Sequence, residues 1–407
     1  MKEKFGLLGK TLKHSYSKTI HSLLGEYDYD LYEVEPENLK EFVLSRTLKG
    51  YNVTIPYKKD IIPLLDYVDE RAKMIGAVNT VIDDGGKLYG YNTDFDGMLY
   101  MLSSAGITLK DKKVMILGTG GTSNTAQAVA KSSFAKEIIT VSRTGILNYS
   151  NYFDRSDVDV LINTTPVGTY PNAYIAPIDL SVFKNLSGVV DVVYNPSKTM
   201  LTFQAERLNI PCVSGLAMLV AQAKYAMELF TGRKASDDIT AQIVDKISKQ
   251  NCNVVLVGMP GSGKSTVGRE LARILGREFI DTDLEIEKRE GCSIPTIFKD
   301  KGEQYFRKLE SQVVRDVGLT VNKVIATGGG VVKDPENCYP LKCNGKVFWL
   351  KREIEKLETC GRPLSTDIER LKNMYNERKD MYGAFSDFTV LNDGELNLTV
   401  QGIIDRL

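Results

Sequence analysis

Residues 258–265 read Gly-Met-Pro-Gly-Ser-Gly-Lys-Ser, follow the apolar run 254–257 directly and lead into a helical stretch at 266–275. A strand, a glycine-rich loop and a helix in that order admit few architectures. The strand must lie inside a parallel sheet whose helices cover its faces. Glycines let successive backbone N–H groups converge on phosphate at a helix N-terminus, so Gly261, Ser262, Gly263 and Thr266 are expected to line a phosphate cradle. Lys264 would reach the outer phosphates, and Ser265 would ligate a magnesium ion. A chance glycine turn is the bland alternative, and the order of strand, loop and helix speaks against it.

The rest of the chain supports α/β architecture, because short β-branched runs alternate with amphipathic helical stretches almost throughout. With 407 residues the chain is too long for one compact core. A polar-rich helix near 236–248 runs into the strand at 254 and sets a boundary near Gln250. A second seam precedes Lys112, where a helix at 94–105 ends at Gly106 and a new glycine-rich unit begins. Three segments follow: a substrate lobe at 1–110 closed by helices returning from about 216–248, a nucleotide lobe at 111–248, and a phosphate-binding domain at 252–407. Lys plus Arg equals Asp plus Glu at 52 each, so no basic footprint argues for nucleic acid or an acidic membrane surface, and small-molecule partners are expected. The N-terminus has charge but no apolar leader core, and no apolar run is long enough to span a bilayer, which reads as cytoplasmic. Six cysteines without a CxxC pair and two histidines make zinc ligation a poor fit, and reduced thiols are expected.

Further residues surround the phosphate loop. Phe279-Ile-Asp281-Thr-Asp283 ends a strand with two carboxylates at a spacing of two, so both can face the phosphates, one serving magnesium and the other an acceptor hydroxyl. A helix N-cap at Asp283 is the competing reading. Gly328-Gly329-Gly330 follows the run KVIAT as a backbone bare enough to approach a ligand, or as a plain flexible turn. Arg307 in EQYFRKLE and Arg378 in NERKDMY sit in charged helical contexts, where a solvated salt-bridged face is the ordinary explanation. Arg362 lies in the loop TCGRPLS, as expected of a lid carrying charge toward a transferring phosphoryl group.

The segments GMPGSGKSTVGRELA, FIDTD, GEQYFRKLE, ATGGGVV, RPL and ERKDMY together resemble the shikimate kinases over residues 252–390. The resemblance implies a P-loop kinase domain with a parallel sheet, of the nucleoside monophosphate kinase type, using ATP and Mg2+. It implies that Asp283, Arg307, Gly329 and Arg378 hold shikimate, with both arginines on its carboxylate. Asp283 would orient or deprotonate the attacking hydroxyl, Asp281 would assist magnesium, and Lys264 with Arg362 would stabilise the moving phosphoryl group.

Upstream, the apolar run 114–117 precedes Gly118-Thr-Gly120-Gly121-Thr122-Ser123 and a helix, a dinucleotide fingerprint with serine in the third glycine's place. The next strand ends in Ser142-Arg143-Thr144, and an arginine there favours a ribose 2′-phosphate, hence NADP. The preceding lobe clusters hydroxyl, amide and charged groups in KHSYS, YNVTIPYK, GAVNT and GYNTDFDG, which suits a polyhydroxylated acid. Hydride delivery to a ketone leaves an alkoxide that needs a proton, and an ammonium beside a carboxylate can provide it. Lys58 and Asp94 are the candidates, against a surface lysine and a helix cap at Thr93 or Asp94. Ser17 carries the same cap ambiguity. Gln222 lies on the apolar face of LAMLVAQAKYAMELF, where a buried amide needs a partner.

This arrangement resembles the shikimate dehydrogenases over roughly residues 3–248, which implies an α/β substrate lobe and a Rossmann NADP lobe. The resemblance makes Lys58 and Asp94 the catalytic pair and Ser15, Ser17, Thr54, Asn79, Tyr194 and Gln222 substrate ligands. It places Gly118, Gly120, Gly121, Thr122, Ser123, Arg143, Thr144 and Gly215 on NADP, with Val192 at the nicotinamide. The second basic residue often found three places after Thr144 is here Leu147. The two resemblances name consecutive chemistry, reduction of 3-dehydroshikimate and phosphorylation of shikimate. The rival reading is a quinate-type dehydrogenase fused to a nucleotide-sensing regulatory P-loop module.

Overall fold

The computed structural model describes residues 3–12, 15–357 and 368–407. The chain divides into two compact units, Met1–Lys246 and Ile247–Leu407, and the division falls within the helix Asp237–Asn251.

The first unit holds two sheets. Its first sheet comprises β1 (Lys4–Gly9), β2 (Asp28–Glu33), β3 (Gly50–Val53), β4 (Tyr67–Val68), β5 (Thr80–Asp84) and β6 (Lys87–Tyr91), in the order β2-β1-β3-β5-β6-β4. This sheet is mixed, because β5 runs antiparallel to both β3 and β6. The cause is local. Gly85 and Gly86 have φ of 59° and 80°, the left-handed pair a two-residue hairpin needs to match strand twist. The second sheet has β7 (Lys113–Leu117), β8 (Glu137–Val141), β9 (Val160–Asn163), β10 (Gly188–Asp191) and β11 (Cys212–Ser214), ordered β11-β10-β9-β7-β8. All its pairings are parallel. Every residue of β9 and β10 is buried, as expected when helices cover both faces.

Two helices join the lobes. Asp94–Ser104 and Leu216–Thr231 cross so closely that a Cβ on Gly97 would lie 2.8 Å from the Met218 carbonyl oxygen and 3.0 Å from Gln222 Cβ. The first helix also feeds Phe95, Met98 and Met101 into a core with Val114, Ile116 and Val190 of the second sheet. The return of the second helix thus seats Gln222 beside the start of the helix that bears Asp94.

The second unit has one parallel sheet of β12 (Asn253–Val257), β13 (Glu278–Asp281), β14 (Lys323–Ala326), β15 (Gly345–Lys351) and β16 (Phe388–Leu391), in the order β13-β14-β12-β15-β16. Strand β12 is central and buried throughout, so the loop that follows it opens at the carboxyl edge, where ligands of such sheets bind. Among the described residues no helix is long and apolar enough to cross a membrane.

Gly97→Val should force the two crossing helices apart at a cost of about 1–3 kcal/mol. A lower melting temperature for the first unit, with unchanged melting of the second, is the expected calorimetric result.

Candidate functional site

In the first unit, Ser15, Ser17, Thr54, Lys58, Asn79, Asp94, Tyr194 and Gln222 line one cleft of about 510 Å3, together with Thr122, Val192 and Gly215 from the nucleotide side. Lys58, in the turn that follows β3, donates from Nζ to Oδ2 of Asp94, the first residue of the helix Asp94–Ser104, at 2.6 Å. The helix-cap reading of this region falls to Asn92, whose Oδ1 accepts from Phe95 N at 3.3 Å. Asp94 is therefore left to hold the ammonium, a charge-assisted contact. Thr93 makes no cap bond either. Its backbone N–H and hydroxyl both go to Asn79 Oδ1, at 2.7 and 3.3 Å.

Asn79 also reaches Gln222 Oε1 from Nδ2 at 3.4 Å, so the two amides face the cleft as one unit whose orientation is set by buried hydroxyls. At the mouth, Ser15 Oγ accepts from Ser17 N at 3.1 Å. The ring of Tyr16, between them, meets the ring of Tyr194 edge-on at 5.7 Å. Burial raises the Tyr194 phenol above its ordinary range, keeping it a neutral donor. Asn52, Leu12 and Met218 also line the cleft. Asn52 is the amide of the YNVTIPYK cluster and lies within the buried strand β3.

The dinucleotide turn fits a phosphate bridge. Gly118 has φ of 106° and lies against Thr164, while positions above Gly120 and Gly121 are open. Ser123 is fully buried and its hydroxyl donates to the Gly118 carbonyl at 2.7 Å. Serine in the third glycine's place thus braces the turn. Arg143 and Thr144 are exposed just beyond β8, as a 2′-phosphate clamp must be. Leu147 packs instead against the sheet core.

In the second unit, Gly261, Gly263, Lys264, Ser265, Thr266, Asp281, Asp283, Arg307, Gly329 and Arg378 line a second cleft of about 350 Å3. Gly258, Gly261 and Gly263 have φ of 151°, 83° and 88°, the backbone geometry that turns N–H groups inward. Lys264 Nζ donates to the carbonyls of Gly258 and Met259 at 2.9 and 3.0 Å, curled along the loop it would serve. Ser262 is buried and lies beneath the loop, its carbonyl held by Asn392 Nδ2 at 2.7 Å. Ser265 Oγ donates to Asp281 Oδ2 at 2.7 Å, a hydroxyl and carboxylate pair with the oxygen donors that magnesium prefers when phosphate and water complete its shell.

Three expectations change here. The cap of the helix Thr282–Glu290 is Asp281, not Asp283, since its Oδ1 accepts from Asp283 N at 3.1 Å. Asp283 consequently sits in the first helical turn rather than on the strand, and reaches the cleft by helix geometry. The glycine run is no loose turn. A Cβ on Gly328 would lie 2.6 Å from Asp283 Oδ1, one on Gly329 2.7 Å from Pro260, and one on Gly330 would strike the Arg307 guanidinium.

Nor is Arg378 on a solvated face: it is 5% exposed, its Nη1 donates to the Gly329 carbonyl at 3.0 Å, and its Nε is buried without a partner. Arg307 does pair with Glu303 at 3.1 Å, but also with Glu310 at 2.7 Å. Glu310 is 1% exposed, and burial raises its carboxyl above the usual range against the pull of Arg307. Glu310 and Tyr382 escaped sequence reading, although each lies one helical turn from an arginine that did not. Tyr382 Oη donates to the Gly329 carbonyl at 2.6 Å. Arg362 lies outside the described residues.

By fold and site the chain is an α/β protein with a dinucleotide-dependent reductase cleft in one unit and a P-loop phosphotransferase cleft in the other. Residues 7–81 match the family model for the shikimate dehydrogenase substrate binding domain, and residues 260–407 match that for shikimate kinase. The NADP(+) shikimate dehydrogenase of Clostridium beijerinckii is 36% identical over 257 residues, covering 58% of this chain and 95% of that protein. That of Methanocaldococcus jannaschii is 34% identical over 276 residues, covering 60% and 97%. Among solved structures, a chorismate mutase/shikimate 5-dehydrogenase fusion protein from Clostridium acetobutylicum is similar with a TM-score of 0.58 and 33% identity, over 61% of this chain and 98% of that one. A shikimate 5-dehydrogenase from Thermus thermophilus, in complex with NADP(H) and shikimate, gives 0.55 and 27%, over 60% and 99%. The chain belongs to the shikimate dehydrogenase family and continues into a shikimate kinase domain.

Glu310→Ala would leave the half-buried Arg307 without its closest partner. The second unit should lose about 2–3 kcal/mol, somewhat below the cost of breaking a fully buried pair, as read from urea unfolding.

Proposed function

We propose that this chain performs two consecutive reactions, NADPH-dependent reduction of 3-dehydroshikimate to shikimate and ATP-dependent phosphorylation of shikimate to shikimate 3-phosphate. The observation that carries the first is the 2.6 Å Lys58–Asp94 pair in a cleft walled on one side by amides and hydroxyls and on the other by the dinucleotide lobe. Gly118, Gly120, Gly121 and Thr122 would hold NADPH, with Arg143 and Thr144 for its 2′-phosphate, and the cofactor would supply the hydride. Lys58 holds its ammonium proton at the ketone oxygen and releases it as the carbonyl carbon becomes a secondary alcohol. Asp94 fixes the position of the lysine's ammonium group. Ser15, Ser17, Thr54, Asn79, Tyr194 and Gln222 hold the substrate's hydroxyls and carboxylate, and Val192 and Gly215 border the nicotinamide.

In the second unit, ATP with magnesium supplies the phosphoryl group, and Gly261 to Thr266 would hold its phosphates. Ser265 and Asp281 would hold the ion. Arg307 and Arg378 take the shikimate carboxylate, Gly329 meets the substrate through its backbone, and Asp283 accepts the proton of the attacking hydroxyl. Lys264 stabilises charge on the phosphoryl oxygens. We assign residues 1–110 with the returning helices to the substrate lobe, 111–248 to the NADP lobe and 252–407 to the kinase. Balanced charge and free thiols suit small-molecule chemistry in the cytoplasm.

Lys58→Ala should lower reductase turnover by about 10² to 10⁴ while shikimate-dependent ADP release continues at the normal rate. Asp283→Asn should do the converse. Unchanged reduction in the first variant, or unchanged phosphorylation in the second, would remove that residue from its role.

A further inference from the structure

Asp191 closes β10 with no exposed surface, and its hydrogen-bond partners are neutral. Its Oδ1 accepts from Asn163 Nδ2 at 2.9 Å and from Val193 N at 3.1 Å, and its Oδ2 from Thr199 Oγ1 at 2.7 Å. Burying a carboxylate without a cation is costly, and here burial pushes the carboxyl up to about 6. A neutral or apolar residue would fill the space more cheaply. The carboxylate therefore needs an explanation in what it holds.

Its bonds lead to both walls of the reductase cleft. Toward the dinucleotide turn, Asn163 Oδ1 fixes Thr165 through N and Oγ1 at 3.1 and 2.7 Å. The Asn163 carbonyl accepts from Val192 N at 3.1 Å. Thr164, between them, bonds the Leu117 carbonyl at 2.6 Å and lies against Gly118. Toward the substrate, the Val193 carbonyl accepts from Gly215 N at 3.0 Å, and Gly215 caps the helix that carries Gln222. Gly215 presses so closely on the Val192 carbonyl that no Cβ fits. Tyr194, next along, meets Tyr16 across the cleft. The segment from Val192 to Tyr194 is thus pinned from one buried point.

We propose that Asp191 is a positioning residue for the reduction: its carboxylate holds the Val192–Tyr194 segment so that the wall facing the nicotinamide and the wall facing the substrate keep one register. This rests on the reductase reading above. Hydride transfer demands reacting atoms about 3–3.5 Å apart, so a small shift of either wall slows the transfer far more than it weakens binding of either partner.

The test uses full-length Asp191→Asn, nearly the same shape without the charge, and Thr199→Val, which keeps the carboxylate but removes one donor. Reductase kcat should fall by about 10- to 100-fold with KM for NADPH little changed. The primary isotope effect with NADPH deuterated at the transferred position should rise, because transfer itself becomes limiting. Shikimate-dependent ADP release should stay normal. Unchanged kcat and isotope effect in both variants would overturn the proposal, as would a melting-temperature loss whose remaining folded enzyme turns over normally. If Asp191→Asn does not fold, Thr199→Val decides on the same two readings. Failure of the wild-type chain to reduce 3-dehydroshikimate would instead overturn the reductase reading itself.

Discussion

Parallel strands release their connecting loops at one edge, and the chemistry of both units is organised by that constraint. In the second sheet β7, β9 and β10 end at the glycine turn, at Asn163 and at Asp191. In the third, β12, β13 and β14 end at the P-loop, Asp281 and the glycine run. Backbone N–H groups at such an edge have no further strand to bond, so they are available to phosphate. Side chains a residue or two beyond each strand end converge because the strands are neighbours. Proximity in the site thus follows from sheet order rather than from spacing in the chain.

Close approach sharpens the convergence, and glycine is its instrument. Gly97 lets the Asp94 helix touch the Gln222 helix, Gly215 lets that helix start against Val192, and Gly328 to Gly330 lie in contact with Asp283, Pro260 and Arg307. Each contact brings a reactive or binding group within reach of another that is distant in sequence. Charge is then managed in pairs: Lys58 with Asp94 at 2.6 Å, Arg307 with Glu310 at 2.7 Å. Such contacts hold each cation in one orientation toward a ligand.

How much of this the residues announce in advance depends on whether the signal is local. The two glycine turns, the strands feeding them and the helices behind them are contiguous patterns, and β7 and β12 lie where the apolar runs place them. Lys58 and Asp94 stand out as types suited to proton transfer, but only the fold shows them in contact, since Asn92 rather than either candidate takes the cap. Arg378 reads as a surface arginine because a charged helical segment such as NERKDMY looks the same whether or not the arginine's face is covered, and Gly329 is what covers it. Asp191 leaves no local trace: its partners, Asn163 and Thr199, come from another strand and another turn. The mixed first sheet has a local cue in the Gly85-Gly86 pair, whose left-handed backbone closes the hairpin between β5 and β6.

The central claim is that one chain makes shikimate and then phosphorylates it. Purified protein given 3-dehydroshikimate, NADPH and MgATP, with no added shikimate, tests it in a single mixture by following NADPH consumption and ADP release together. ADP release that begins only after NADPH oxidation has begun, and that stops when NADPH is withheld, is the predicted result. NADPH oxidation without ADP release, or ADP release independent of NADPH, would contradict it.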